Sequence, residues 1–176
     1  KVSDRFNITL RGVSGGRIGT ASTQALDEES VGMLIQDVKE SAEVIETDEQ
    51  DEILPPDEAY DAVCNYSEAL REVSAQDKIA LAMRIDARLA AADARLTPDA
   101  TVVATSEETM TLKNTLGLDL THSSNMIYAY ASVLAKDGNQ AATGFKLLWG
   151  YSPEDVDAFA VADGCAQDAL EKLGAG

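Results

Sequence analysis

SEETMTLKNTLGLDLTHSSNMIYAYASVLAKDGNQAATG, residues 106–144, decides the fold. Met110 and Leu112 alternate with Thr109, Thr111 and Lys113, and Leu116, Leu118 and Leu120 alternate with polar neighbours. Period-two alternation predicts strands with one wet face. Met126 to Ala135 is apolar on both parities, which predicts a central or covered strand. Asp137-Gly138-Asn139 predicts the hairpin turn, since Gly and Asn tolerate positive φ. Asn114-Thr115-Leu116-Gly117 is turn chemistry between apolar runs, with a partner or peptide contact as the sharper alternative. Nothing here looks like a catalytic centre. The stretch reads as a sheet that holds or passes something.

Towards the N-terminus, Phe6 to Leu10 alternates, Gly15-Gly16 turns, and Arg17 to Thr23 returns, giving a hairpin. Asp27 is a helix N-cap with Glu28 and Glu29 in the first turn. Val31, Leu34, Ile35, Val38, Ala42 and Ile45 then form an apolar stripe at helical spacing. A β-β-α unit over 1–45 results. Residues 46–58 are acidic and contain Pro55-Pro56, an extended linker. Residues 59–176 form a second domain. Its Tyr60 to Arg71 stretch is irregular. Ser74 and Asp77 make a capping box for a helix to about Ala92, with Leu81, Ile85, Leu89 and Ala92 inward and Arg84, Asp86 and Arg88 outward. Asp93 and Pro98 end it.

Ala100 to Ser106 is a β-branched strand, and Phe145, Leu147 and Trp149 line one face of the last strand. Ser152-Pro153-Glu154-Asp155 starts a final helix, with Val156, Phe159, Ala162, Ala166, Ala169 and Leu173 buried and Gly174 as its stop. The second domain thus reads α-β-β-β-β-β-α. The fold class is α+β: a β-hairpin plus helix unit followed by an antiparallel sheet flanked by helices.

The formal charge is −17, from 31 acidic and 14 basic residues. So acidic a chain repels phosphate backbones and anionic membranes, and it holds no basic cluster, which argues against direct nucleic-acid binding. Cys64 and Cys165 lie far apart and form no CxxC, so they read as reduced, partly buried small apolar residues. No apolar run approaches the roughly 20 residues of a membrane span, and no signal peptide is evident, which favours the cytoplasm. The chain starts at Lys1 and opens almost directly into a strand, as a fragment of a longer protein would.

Catalytic patterns are absent. His122 is the single histidine and reads as a strand-end residue, where a zinc site needs three or four convergent ligands. A Ser-His-Asp triad would also need His122, and no serine sits in a GxSxG elbow. Gly15-Gly16 lacks the Lys-Ser/Thr and the helix N-terminus of a phosphate loop. The acidic run before Pro55 lacks the central Gly of a calcium loop. Paired carboxylates carry no information in a chain this acidic. No residue is assigned a catalytic, cofactor-binding or metal-binding role.

Ser106-Glu107-Glu108-Thr109, followed by Leu112-Lys113-Asn114-Thr115-Leu116-Gly117-Leu118, resembles the S-E-x…L-x-N-S-x-G-x signature of the TldD/PmbA family, also labelled modulators of DNA gyrase. Gly15-Gly16-Arg17-Ile18-Gly19-Thr20-Ala21-Ser22-Thr23 is similar to that family's D-G-R-x-G-x-A-S-T run. Thr115 departs from the usual Ser. The likeness spans about 5–45 and 60–173, as a truncated first domain and a second one. It implies a cytoplasmic zinc metallopeptidase system built as a heterodimer, with zinc in a C-terminal domain of one subunit. No catalytic position of the family falls within this chain. The resemblance therefore implies a non-catalytic N-terminal region, PmbA/TldE-like, that helps build a dimer with a TldD-like subunit or itself and encloses unfolded peptides. The alternatives are the same region of a zinc-bearing TldD-like subunit, or a stand-alone acidic binding domain.

Overall fold

A computed structural model describes residues 2–46 and 51–174. The chain is α+β and divides into two compact units, Lys1–Tyr60 with Leu112–Leu120, and Asp61–Thr111 with Thr121–Gly176.

In the first unit, β1 (Ile8–Ser14) pairs antiparallel with β2 (Arg17–Thr23), in a register running from Ile8↔Thr23 to Ser14↔Arg17. Gly15 and Gly16 sit at φ 59° and 79°, which makes a tight turn matching the strand twist. The strand thus begins two residues later than Phe6 and runs further. Asp27 caps α1 (Glu28–Glu43), its Oδ1 accepting from the Ser30 N–H at 2.8 Å. Those bonds hold the Asp27 carboxyl below its ordinary range. Leu34, Val38 and Ala42 are buried on the hairpin. Gly19 lets the helix come this close, since a Cβ there would lie 1.8 Å from the Val38 carbonyl oxygen. The predicted stripe is too wide, because Val31, Ile35 and Ile45 are exposed. A two-stranded hairpin offers a surface narrow enough for one row of the helix only. Residues 47–50 of the acidic linker 46–58 lie outside the described residues. Beyond it, Asp51 binds back to the hairpin: its N–H donates to Gly16 O (2.9 Å) and its carboxylate accepts from the Ile18 N–H (3.0 Å).

The second unit opens with the short α2 (Glu68–Arg71) and with α3 (Ala75–Ala92), whose N-terminus carries the predicted Ser74–Asp77 capping box. Three strands follow rather than five: β3 (Leu96–Lys113), β4 (Asp119–Asp137) and β5 (Gln140–Gly150), in spatial order β3-β4-β5. The expected break inside β3 does not occur. From Ser106 to Lys113 both parities are exposed, Met110 and Leu112 included, so the single wet face that their alternation predicts is not formed there, and the strand continues. Hydroxyl pairs Thr109–Ser123 (2.8 Å) and Thr111–Thr121 (3.1 Å) tie it across to β4. Leu116 and Leu118 belong to the turn, and β4 starts only at Asp119. Pro98 lies inside β3, where an edge strand tolerates its missing N–H. At the β4–β5 turn Gly138 alone takes positive φ (56°), and Asn139 does not.

After β5, Ser152 to Asp155 forms only a single 3-10 turn, Pro153–Asp155. The carboxylate of Asp155 accepts from the N–H groups of Tyr151 and Ser152, both at 2.8 Å. Val156 then takes extended backbone and enters the core, and α4 (Ala158–Leu173) starts afresh with Asp157 as N-cap. α3 and α4 cover one face of the sheet. The inward residues of β4 are Ile127, Ala129, Ala131, Val133 and Ala135, against Val161, Cys165 and Ala169 of α4. Small residues set the spacing, and a Cβ on Gly144 would sit 2.3 Å from the Cys165 carbonyl oxygen. Phe159, expected inside, is exposed at the α3–α4 boundary, under the guanidinium groups of Arg84 and Arg88 at 5.5 and 5.6 Å. Arg88 also holds Asp163 through Nε (2.7 Å) and Nη2 (3.0 Å). Two arginines read as outward thus bridge the helices.

Candidate functional site

The residues singled out in the sequence do not converge. Asn114 is a turn residue: its Oδ1 accepts from the N–H groups of Leu116 (2.9 Å) and Leu118 (3.0 Å), and its Nδ2 donates to Leu54 O (2.8 Å). Gly117 supplies the left-handed position at φ 98°. His122 is half-buried, with Nε2 2.7 Å from Asn65 Oδ1. Cys165 is buried, donating its S–H to Ala131 O at 3.3 Å, and burial pushes its thiol up to about 11. Cys64 is exposed rather than partly buried, and both thiols are free.

Among the described residues no group of three or more His, Cys, Asp or Glu side chains is placed to hold a metal ion. His122 already spends its Nε2 on Asn65.

Two surfaces of the second unit are shaped for contact. The first is a polar cleft of about 250 Å³ between α2, the start of α3 and the middle of the sheet. Asn125, buried on β4, mimics a strand there: its Oδ1 accepts from Ser67 N and its Nδ2 donates to Ser67 O, each at 2.8 Å. Arg71 faces Glu107 (3.5 Å) and Glu68 (3.6 Å), and Tyr66 and those carboxylates raise its pKa. Lys78 Nζ donates to the Thr105 hydroxyl at 2.8 Å. The guanidinium is already matched by carboxylates, so little charge remains for an anion.

The second surface is the uncovered face of the sheet, with a concavity of about 560 Å³. Its β4 contribution is Met126, Tyr128 and Tyr130, and its β5 contribution is Phe145, Leu147 and Trp149, with Tyr151 just beyond. Phe145 and Trp149 are 52% and 53% exposed, against 0% for Ala129 and Ala131 on the opposite parity. Tyr130 and Phe145 stack tilted at 5.5 Å, and Trp149 meets Tyr151 edge-on at 5.7 Å. The sheet is inverted relative to the usual economy of size: its small residues are buried and its large ones are open. Such a face can hold apolar polypeptide. It has no nucleophile and no acid–base pair. The sequence carried a signal for it in the Tyr-Ala-Tyr-Ala alternation of residues 128–131, which separates bulky from small parities.

Residues 68–175 match the family model of the PmbA/TldA metallopeptidase central domain. The chain belongs to the PmbA/TldD family. A search of curated proteins finds no match. Among solved structures, a proposed modulator of DNA gyrase from Bacteroides thetaiotaomicron superposes with a TM-score of 0.77 at 17% identity, over 94% of this chain and 39% of that one. A proposed modulator of a DNA gyrase from Thermotoga maritima gives 0.73 at 20% identity, over 97% and 38%. TldE from Thermococcus kodakarensis gives 0.67 at 19% identity, over 93% and 36%. At these identities the PmbA/TldD-type structures share the fold. The chain spans 36–39% of their length. Among the described residues no helix is long and apolar enough to cross a membrane.

Proposed function

We propose that this chain is the non-catalytic N-terminal region of a PmbA/TldE-like subunit in a cytoplasmic zinc metallopeptidase system. Residues 1–45 are a truncated first domain, 46–58 a linker and 59–176 the second domain. The region contributes to a dimer, with a TldD-like subunit or with itself, and to the enclosure of unfolded peptides. The zinc belongs to the partner or to a C-terminal domain. The observation that carries this reading is the central-domain match over residues 68–175, and the fold likeness to TldE favours the partner-type subunit. The charge of −17 supports a role without direct DNA contact.

The sheet edges support peptide handling by strand addition. The outer edge of β5 is obstructed by α4: the Phe145 N–H donates to Asp168 Oδ2 (3.0 Å), and Lys172 Nζ donates to Thr143 O (3.2 Å). β3 is the other edge, and its Ser106–Thr111 stretch is exposed. An extended peptide pairs there through main-chain hydrogen bonds, with little demand on its sequence.

The test is purification of the native gene product with its bound partners, followed by peptide hydrolysis with each subunit alone and together. Hydrolysis that needs both chains, with zinc on the partner, is expected. Zinc and hydrolysis on this gene product alone would move it to the TldD-like role. Backbone N-methylation at alternate residues should weaken peptide binding at least about tenfold, since each methyl removes a donor. Equal binding refutes strand addition.

A further inference from the structure

We infer that the open aromatic face of β4 and β5 is an interdomain interface, closed in the whole protein by the domain that follows residue 176. The inference rests on the reading above that this chain is part of a longer protein.

The face itself dictates a permanent occupant. Its lining is wholly apolar or aromatic in a chain of net charge −17. Interfaces that never open are depleted of charge in this way, whereas transient ones are about as polar as the remaining surface. A contiguous apolar patch of this kind is seldom left to water. A partner subunit is separated from the following domain by the test below; a second copy and a peptide are weighed by their chemistry. A second copy would bring another −17 against the first, so charge lends this face no attraction for one, and the self-association arm of the test decides it. A transient peptide lying on the face finds β4 and β5 already bonded to each other from Ile127↔Gly150 to Asp137↔Gln140, so it gains no main-chain hydrogen bonds. A folded domain needs none. It supplies a preformed apolar layer, as in a sandwich whose layers pack about 10 Å apart.

The matching family model is of a central domain, which favours a neighbouring domain as that occupant. The solved relatives, of which this chain covers 36–39%, hold enough further polypeptide to provide another layer. Helices already cover the alanine parity of the sheet, so the bulky parity is where that layer can dock. Tyr151 and Trp149 sit at the end of the face, where a hydroxyl and an indole N–H can bond to its rim.

Hydroxyl-radical footprinting of the native gene product, at a concentration where sedimentation shows a single chain, tests this. Phe159, 51% exposed on the helix side, is the internal reference for Phe145 at 52%. The expected result is labelling of Phe145 at least about tenfold slower than of Phe159, with Trp149 protected likewise after correction for its intrinsic reactivity. Equal rates at Phe145 and Phe159 overturn the inference and leave the family role intact. Protection that appears only on self-association, or only with a partner subunit, also overturns it. A native chain that ends at residue 176 overturns both this inference and the fragment reading. Leu147→Lys in the full chain gives an independent readout: interdomain cleavage by a dilute protease should rise about tenfold. Unchanged cleavage counts against the interface, and the wild-type footprint decides the matter if that variant does not fold.

Discussion

Replacing Gly144 by Ala tests how the second unit is held together. An added Cβ would lie 2.3 Å from Cys165 O and 2.7 Å from both Ala169 N and Ala169 Cβ. Two of these atoms are backbone, so no side-chain rotation relieves the clash. Ordinary contact begins at 3.4 Å, so α4 must withdraw by about 1 Å. A gap of 0.5–1 Å forfeits roughly a quarter to a half of each dispersion contact. Val161, Cys165, Ala169 and Leu173 all line that gap. The Phe145–Asp168 bond at 3.0 Å and the Cys165–Ala131 bond at 3.3 Å are stretched with it. Overpacking costs about 1–3 kcal/mol, and occasionally more. With no flexible atom to yield, we expect about 3 kcal/mol, or a fall in Tm of roughly 12–20 °C for a domain near 100 residues. Thermal unfolding followed by circular dichroism measures it. Ala169→Gly in the same chain should restore little, because the Cys165 carbonyl remains in the way. A loss of stability below about 1 kcal/mol would refute the view that alanine- and glycine-limited spacing fixes α4 on the sheet.

Gly32 gives the opposite sign: it lies in exposed α1 with nothing within 4 Å of an added Cβ, so Gly32→Ala should stabilise the chain by about 0.5–1 kcal/mol in urea titration. Cys64 should react with a disulfide reagent in the native protein at about pH 8, and Cys165 only after unfolding. Because folding raises the Cys165 pKa from 9.0 to about 11, its stabilisation is complete below pH 9 and is lost as pH rises from 9 through 11, which alkaline unfolding of wild type against Cys165→Ala would show. The Asp93 carboxyl is lowered from 3.8 to about 2, first by the side-chain bonds of Arg95 and then by its backbone N–H. Its contribution is therefore present above pH 3.8 and disappears as pH falls through about 2; carboxyl NMR should show that midpoint, returning towards 3.8 in Arg95→Gln.

The sequence by itself determined most of the local structure. Asp27, Ser74 and the glycines at 15, 16 and 117 act through bonds and dihedrals within a few residues, so their caps and turns could be read directly. The short motif around Asn114, inside the stretch that the family model matches, likewise carried the family. What depends on a distant neighbour could not be read. Pairing with β4 made β3 one strand rather than two, and its exposure hid that from the sequence, since a strand without a covering layer keeps its hydrogen bonds with no buried face to mark it. Ser152 and Asp155 signalled a helix start, yet the core's demand for Val156 cut it to one turn and handed the N-cap to Asp157. Phe159 left its expected inward place because α3 and α4 meet there, and Arg88, outward as expected, lies over its ring. Which parity of the Tyr-Ala alternation faces the helices was likewise a tertiary decision. Gly144 lets α4 approach closely, close approach requires alanine beneath it, and the aromatic residues are left on the open side.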